Sequence, residues 1–296
     1  MTCFTNMPLY WIHANKRWVD WFIAGNISPE LGIDCDSVLL PDSWHRDLAA
    51  RFHAAGLRCS VHLPFMETEP CSPDPALRAA SRAKLHRAAA IAKIYKAAHM
   101  IGHPYFRAES DAAPHGGPSA AWMEHALATW QDMPDIANAP LFLENTYEHA
   151  PAPVAALVAA LCAARGETPL ERASVGICFD IGHWHSFAGC THPAELEPWL
   201  EAFAPFRLHL HLHDNTGEGD FHMGMGAGTI PLPALFASLA ARRKKVTASL
   251  EPHDITAFLA SVSWLDAHPD VARAIAWQGA NIGSMPLDEI EKTLAP

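Results

Sequence analysis

The sequence predicts an α/β fold, a (β/α)8 TIM barrel. Short apolar or β-rich runs alternate with helical patterns eight times, and such alternation builds a parallel sheet. Strand starts fall about 30–40 residues apart, the span of one strand–helix–strand crossover. His, Asp and Glu recur where the strands end, and this fold places its active sites at the C-terminal ends of its strands.

The strands are expected at Thr2–Met7, Glu30–Asp34, Arg58–His62, His99–Gly102, Leu141–Glu144, Val175–Asp180, Arg207–Leu212 and Val246–Glu251. Helices follow at Asn15–Ala24, from a Ser43 cap to Ala55, and at Pro75–Ala98, where proline opens the first turn. Further helices are expected at Ser119–Trp130, Pro153–Ala164, Pro193–Phe203, Pro231 to Arg243 and Ile255–Asp266. One domain covers 1–296, with a core to about 267 and a tail at 268–296 whose last ten residues could form a short helix.

Half of the 296 residues are hydrophobic, enough for a large core. No apolar run approaches the roughly 20 residues of a membrane helix, and the N-terminus lacks the pattern of a secretory signal. The seven cysteines are scattered without a C-x-x-C pair, which suits reduced thiols and a cytoplasmic protein. The net charge of −11 disfavours DNA as a partner and favours a small substrate.

The nineteen histidines cluster. In RLHLHLHDN, period 2 sets His209, His211 and His213 on one face. His62, His103, Glu144, Asp180, His211 and Glu251 each sit at or just past the end of a different strand. His183 follows one turn later, and Asp220 and His222 lie in the next loop. Carboxylates gathered at one rim without partners would repel one another. A divalent metal is the simplest partner for this set.

The other histidines read more plainly. His13, His45, His53, His86, His115, His125 and His268 are expected on helices or the surface, and His99 and His209 deeper in the core. Metal-bound imidazoles need outer partners, and Asn145, His185, His213 and Asp214 are placed for that role. Trp184 and Phe65 are expected to line the site, and Cys178 to be a core thiol. Gly224–Gly228 is read as a turn into the next helix, with amides that could meet a phosphate.

These motifs resemble the xylose isomerase-like TIM-barrel superfamily, which includes endonuclease IV and many sugar isomerases and epimerases. The resemblance covers roughly Ile27–His253 and rests on VHLPF, GHP, LENT, FDIGH, HLHDN, DFH and LEPH. It implies one metal on His62, His103 and Glu144, a second on Glu144, Asp180, His211 and Glu251, and a third on His183, Asp220 and His222. Zinc suits these ligands; manganese, iron, cobalt and magnesium are alternatives. The sequence departs from the endonuclease pattern at His213, Phe221 and Gly226-Ala227-Gly228, which counts against DNA recognition.

A one-metal isomerase or epimerase of this group needs only Glu144, Asp180, His211 and Glu251. The five further ligands suit a phosphoester hydrolase, in which close metals clamp phosphate oxygens. The expected function is therefore hydrolysis of a phosphodiester on a small or nucleotide-like substrate, with Glu144 bridging metals and Glu251 positioning water. Sugar or sugar-phosphate isomerisation or epimerisation is the alternative, and abasic-site DNA cleavage the third option.

Overall fold

Eight parallel strands close on themselves in sequence order in the computed structural model, which describes residues 2–34 and 36–282. They are β1 (Cys3–Pro8), β2 (Ser28–Gly32), β3 (Ser60–His62), β4 (Met100–Gly102), β5 (Leu141–Glu144), β6 (Val175–Asp180), β7 (Leu208–Leu212) and β8 (Val246–Leu250). The last pairs with the first, Phe4 opposite Ser249, so no sheet edge remains. No helix among the described residues is long and apolar enough to cross a membrane.

Strand alternation sorts the side chains into two environments. Leu208, Leu210 and Leu212 of β7 join the main apolar core with the outer helices. His209 and His211 are buried on the opposite face, inside the barrel. Cys178 stands beside His209 in register, packed with Ile101 and Phe142. It is the core thiol expected from sequence, and burial holds its pKa well above the ordinary value.

The strand ends that carry the candidate ligands match expectation closely. β2 differs in a way that matters. It starts two residues early, and Pro29 lies inside it opposite Thr5. The strand was expected to begin at Glu30, and proline removes one ladder donor from it. With the strand starting at Ser28, Glu30 falls in its middle and is fully buried.

Other boundaries shift for local reasons. β1 ends at Pro8, which starts an extra helix, Leu9–Ala14, before the expected one at Arg17–Gly25. The helix attributed to a Ser43 cap begins at Asp42 after Pro41, so Ser43 lies inside its first turn. His45 lies on that helix as expected and is buried, with Nδ1 3.1 Å from the Tyr95 hydroxyl. The tail packs a helix at Pro269–Ala274; the short helix expected over the last ten residues falls outside the described residues.

The barrel floor is tight at Gly176. A Cβ there would stand 2.7 Å from the Phe142 ring and 2.9 Å from the Arg207 carbonyl oxygen, and that carbonyl belongs to the segment entering the next strand. Gly176→Ala is expected to lower stability by about 1–3 kcal/mol through overpacking. Urea unfolding checks this, and an unchanged midpoint would show that the floor can yield.

Candidate metal centre

Three clusters form around shared carboxylates where the strands end. Glu144, at the end of β5, is the hub. Its Oε2 lies 3.2 Å from His103 Nε2, 3.4 Å from His62 Nε2 and 3.2 Å from His211 Nδ1. His211 Nδ1 is also 3.2 Å from Glu251 Oε2 and 3.7 Å from Asp180 Oδ2. Asp220 Oδ2 lies 3.2 Å from His183 Nε2 and 3.0 Å from His222 Nε2. The nine residues singled out by sequence thus converge on one rim.

The histidine orientations bear on what the site can hold. His62 Nδ1 donates to the Leu63 carbonyl, His183 Nδ1 to that of Asn145, and His222 Nδ1 to that of Glu251, each at 2.9 Å. A carbonyl can only accept, so these protons are committed. Each ring then turns Nε2 toward carboxylate oxygen, where either a second proton or a cation must intervene. Two ligands of one tetrahedral zinc would stand about 3.3 Å apart, close to the nitrogen–oxygen distances here. His211 Nδ1 and Asp220 Oδ1 are buried without a hydrogen-bond partner. The donor set fits divalent cations.

Outer contacts partly follow the sequence expectation. Asn145 brackets Asp180: its Nδ2 donates to the Asp180 carbonyl and its Oδ1 accepts from the Asp180 amide. Phe65 lines the cavity, with ring contacts to His62 and His103. His213 lies nearer the centre than expected. Its Nε2 is 3.3 Å from Asp180 Oδ1 and 3.7 Å from Asp220 Oδ1, making it a further candidate ligand. Gly182 of FDIGH leaves room for it, since a Cβ there would come 1.9 Å from the His213 ring.

Three expectations need correction. Asp214 is no imidazole partner; its carboxylate accepts from the amides of Asn215, Gly226 and Ile230 and shapes the glycine turn. Within Gly224–Gly228 the amides of Met225, Gly226 and Ala227 are spent, on Ser261, Asp214 and the Gly224 carbonyl. His185 bonds the Cys190 carbonyl and the Thr229 hydroxyl, not a ligand. Trp184 is wholly buried and does not line the cavity.

Sequence reasoning missed Glu30. Its Oε1 lies 3.2 Å from His211 Nε2, the nitrogen facing away from the rim. Asn6, Ser60 and Ser249 donate to the same carboxylate, and Ser249 Oγ is 2.6 Å away. These contacts offset the burial of an anion, and the carboxylate in turn orients the ring. The available signal was a lone glutamate on the inward-facing parity of β2.

The family model described as a xylose isomerase-like TIM barrel matches residues 29–277. The chain belongs to that family. No curated protein matches this xylose isomerase-like barrel. Among solved structures, it is similar to the TTHB071 protein from Thermus thermophilus, soaked with ZnCl2. That match has 24% identity and a TM-score of 0.68 over 90% of this chain and 97% of that one. A D-tagatose 3-epimerase-like protein matches at 19% identity and a TM-score of 0.64, over 82% and 89%. A 3-keto-D-glucoside 4-epimerase from E. coli matches at 13% and 0.60, over 90% and 99%. At these identities the likeness is one of fold.

In this xylose isomerase-like barrel the buried acids and rings set one another's charge. Burial pushes Glu144 up, but the His211 and His103 charges outweigh it and hold the carboxyl well below its ordinary value. Burial lowers His183, yet Asp180, Asp220 and Glu144 hold it well above 6.5. His222 also overcomes burial, through Asp220 and Glu251, and rises to about 9. At His103 burial prevails over Glu144, and the ring is lowered.

Rings whose folded pKa is raised stabilise the fold below the unfolded value near 6.5 and lose that contribution as pH rises through the folded value. The melting temperature of chelator-treated protein should therefore fall between pH 6.5 and 9, whereas zinc-loaded protein holds its value better. Equal slopes for both forms would count against cation binding by these rings. Glu30→Gln should in turn weaken metal binding by about 10–100-fold, read by calorimetric titration of the metal. Wild-type affinity would show that Glu30 does not orient His211.

Proposed function

We propose that this chain is a divalent-metal-dependent phosphoester hydrolase acting on a phosphodiester of a small or nucleotide-like molecule. One observation carries this reading. Glu144, Asp180, His211 and Glu251 would suffice for a one-metal isomerase, yet His62, His103, His183, Asp220 and His222 join them through shared carboxylates. A one-metal scheme leaves those five without a metal-binding role.

His62, His103 and Glu144 would hold one ion; Glu144, Asp180, His211 and Glu251 a second; and His183, Asp220 and His222 a third. Bound zinc, or another divalent ion, would supply positive charge to the phosphate oxygens and acidify water near neutral pH. The side chains do the rest. Glu144 is fully buried and pairs with four rings, so it fixes the spacing between clusters. Glu251 borders the cavity with its carboxylate beside His211, placed to orient the attacking water and take its proton.

A second reading is a sugar epimerase or isomerase, with Glu144 and Glu251 moving a proton beside one metal. The names of the structural neighbours favour this reading over the hydrolase; the five additional donors favour the hydrolase. DNA suits the chain less well. The net charge is −11, and no Lys or Arg is among the described residues lining the cavity.

Metal analysis with paired assays separates the readings. The hydrolase reading expects about three ions per chain and turnover of a chromogenic phosphodiester. One ion with turnover of a ketose panel would overturn it in favour of the epimerase. Glu251→Gln should keep the fold while losing roughly 100-fold or more in kcat. Unchanged turnover would remove Glu251 from the mechanism.

A further inference from the structure

The cavity over the metal centre has a volume of about 550 Å³ and two unlike walls. One is the donor set. The other comes from the end of β1 and the segments after β1, β2 and β3, and includes Met7, Tyr10, Trp11, Ile33, Phe65 and Met66. Apolar groups here remain accessible: Tyr10 is 49% exposed, Phe65 43% and Met66 66%. Seven large hydrophobic residues are exposed among the described residues. Five of them, these three with Tyr147 and Phe221, follow strand ends on the same rim. Concentrated exposure of this kind marks a binding surface.

The polar inventory of that wall is short. Asn6 donates to Glu30. Asp34 accepts from the amides of Tyr10, Asp36 and Ser37. No lysine or arginine is among the described residues lining the cavity. Arg107, beside the Tyr105 ring, is held by both oxygens of Glu69. A second phosphate placed away from the donor set would find no cation there. Beyond Asn6 and Asp34, a polyhydroxylated chain would meet the Tyr10 hydroxyl, the Trp11 indole N–H and the His253 ring, few groups for a chain whose hydroxyls must each be paired.

We propose that the substrate carries a broad apolar or aromatic group beside the reacting ester, packed on the wall of Met7, Tyr10, Trp11, Ile33, Phe65 and Met66. The ester rests on the hydrolase reading above; the apolar group rests on the cavity wall alone. Phe65 joins the two halves, its ring centroid 5.4 Å from that of His62 and 4.9 Å from that of His103. A group bonded to a phosphate at the donor set therefore meets an aromatic surface at once. Burying such a group against this wall supplies affinity by removing apolar area from water.

The test uses the full-length, zinc-loaded protein and two monoanionic probes without an ester bond, dimethylphosphinate and methyl(2-naphthylmethyl)phosphinate, titrated calorimetrically. The naphthyl probe should bind about tenfold or more tightly than the methyl one. Tyr10→Ala and Phe65→Ala should each shrink that ratio while metal content stays constant. Equal affinities, or a ratio that neither variant changes, would overturn the proposal. Assays of methyl and 2-naphthylmethyl p-nitrophenyl phosphates keep the two ideas apart. Naphthyl-selective binding without cleavage of either ester supports the apolar subsite and rejects the hydrolase. Cleavage of both with no size preference in binding or rate does the reverse.

Discussion

The site depends on one electrostatic constraint: carboxylates of Glu144, Asp180, Asp220 and Glu251 share a small, largely buried volume. Anions so close are tolerated only when positive charge stands between them. The fold answers with imidazoles, and Glu144 alone has three ring nitrogens within 3.4 Å of one oxygen. Imidazole can supply that charge by holding a proton or share a cation by giving it up. This dual capacity explains why histidine, rather than lysine or arginine, surrounds these acids.

Beneath the rim, the barrel interior carries the same logic downward. Glu30 is buried and accepts from Asn6, Ser60 and Ser249, with the inner nitrogen of His211 3.2 Å away. A carboxylate on one ring nitrogen raises the basicity of the other and fixes the ring plane. The lumen around it includes His99 and His209, both lowered in pKa because burial disfavours their charged forms. His209 is satisfied as a neutral ring by Thr247 and Ser249. One histidine-rich strand thus holds a supporting ring at one level and a candidate ligand two residues higher.

Charge and shape also divide the cavity. The donor wall concentrates anionic ligands suited to cations, while the facing wall offers aromatic and aliphatic surface without lysine or arginine. Positive charge for a substrate would then come from bound ions, and the rest of the molecule would be held by apolar contact. The split follows from topology. Strands β3 to β8 each bring a donor to the rim, whereas the segments after β1 and β2 bring tyrosine, tryptophan and isoleucine.

The barrel and the strand-end donors were legible in the sequence because both are periodic and local. Alternating strand and helix patterns have few closed solutions, and a histidine in HLHLHD has its face set by period 2 whatever it packs against. Glu30 was hidden because its role depends on residues as remote as Ser249. Asp214, His185 and Trp184 were misplaced for a related reason: proximity in sequence to a ligand does not say which way a loop turns. The residues and the face they occupy are local properties that the chain carries by itself. Which nitrogen meets which oxygen, and what wall stands opposite, arises only when eight strands close and bring distant segments within a few ångströms.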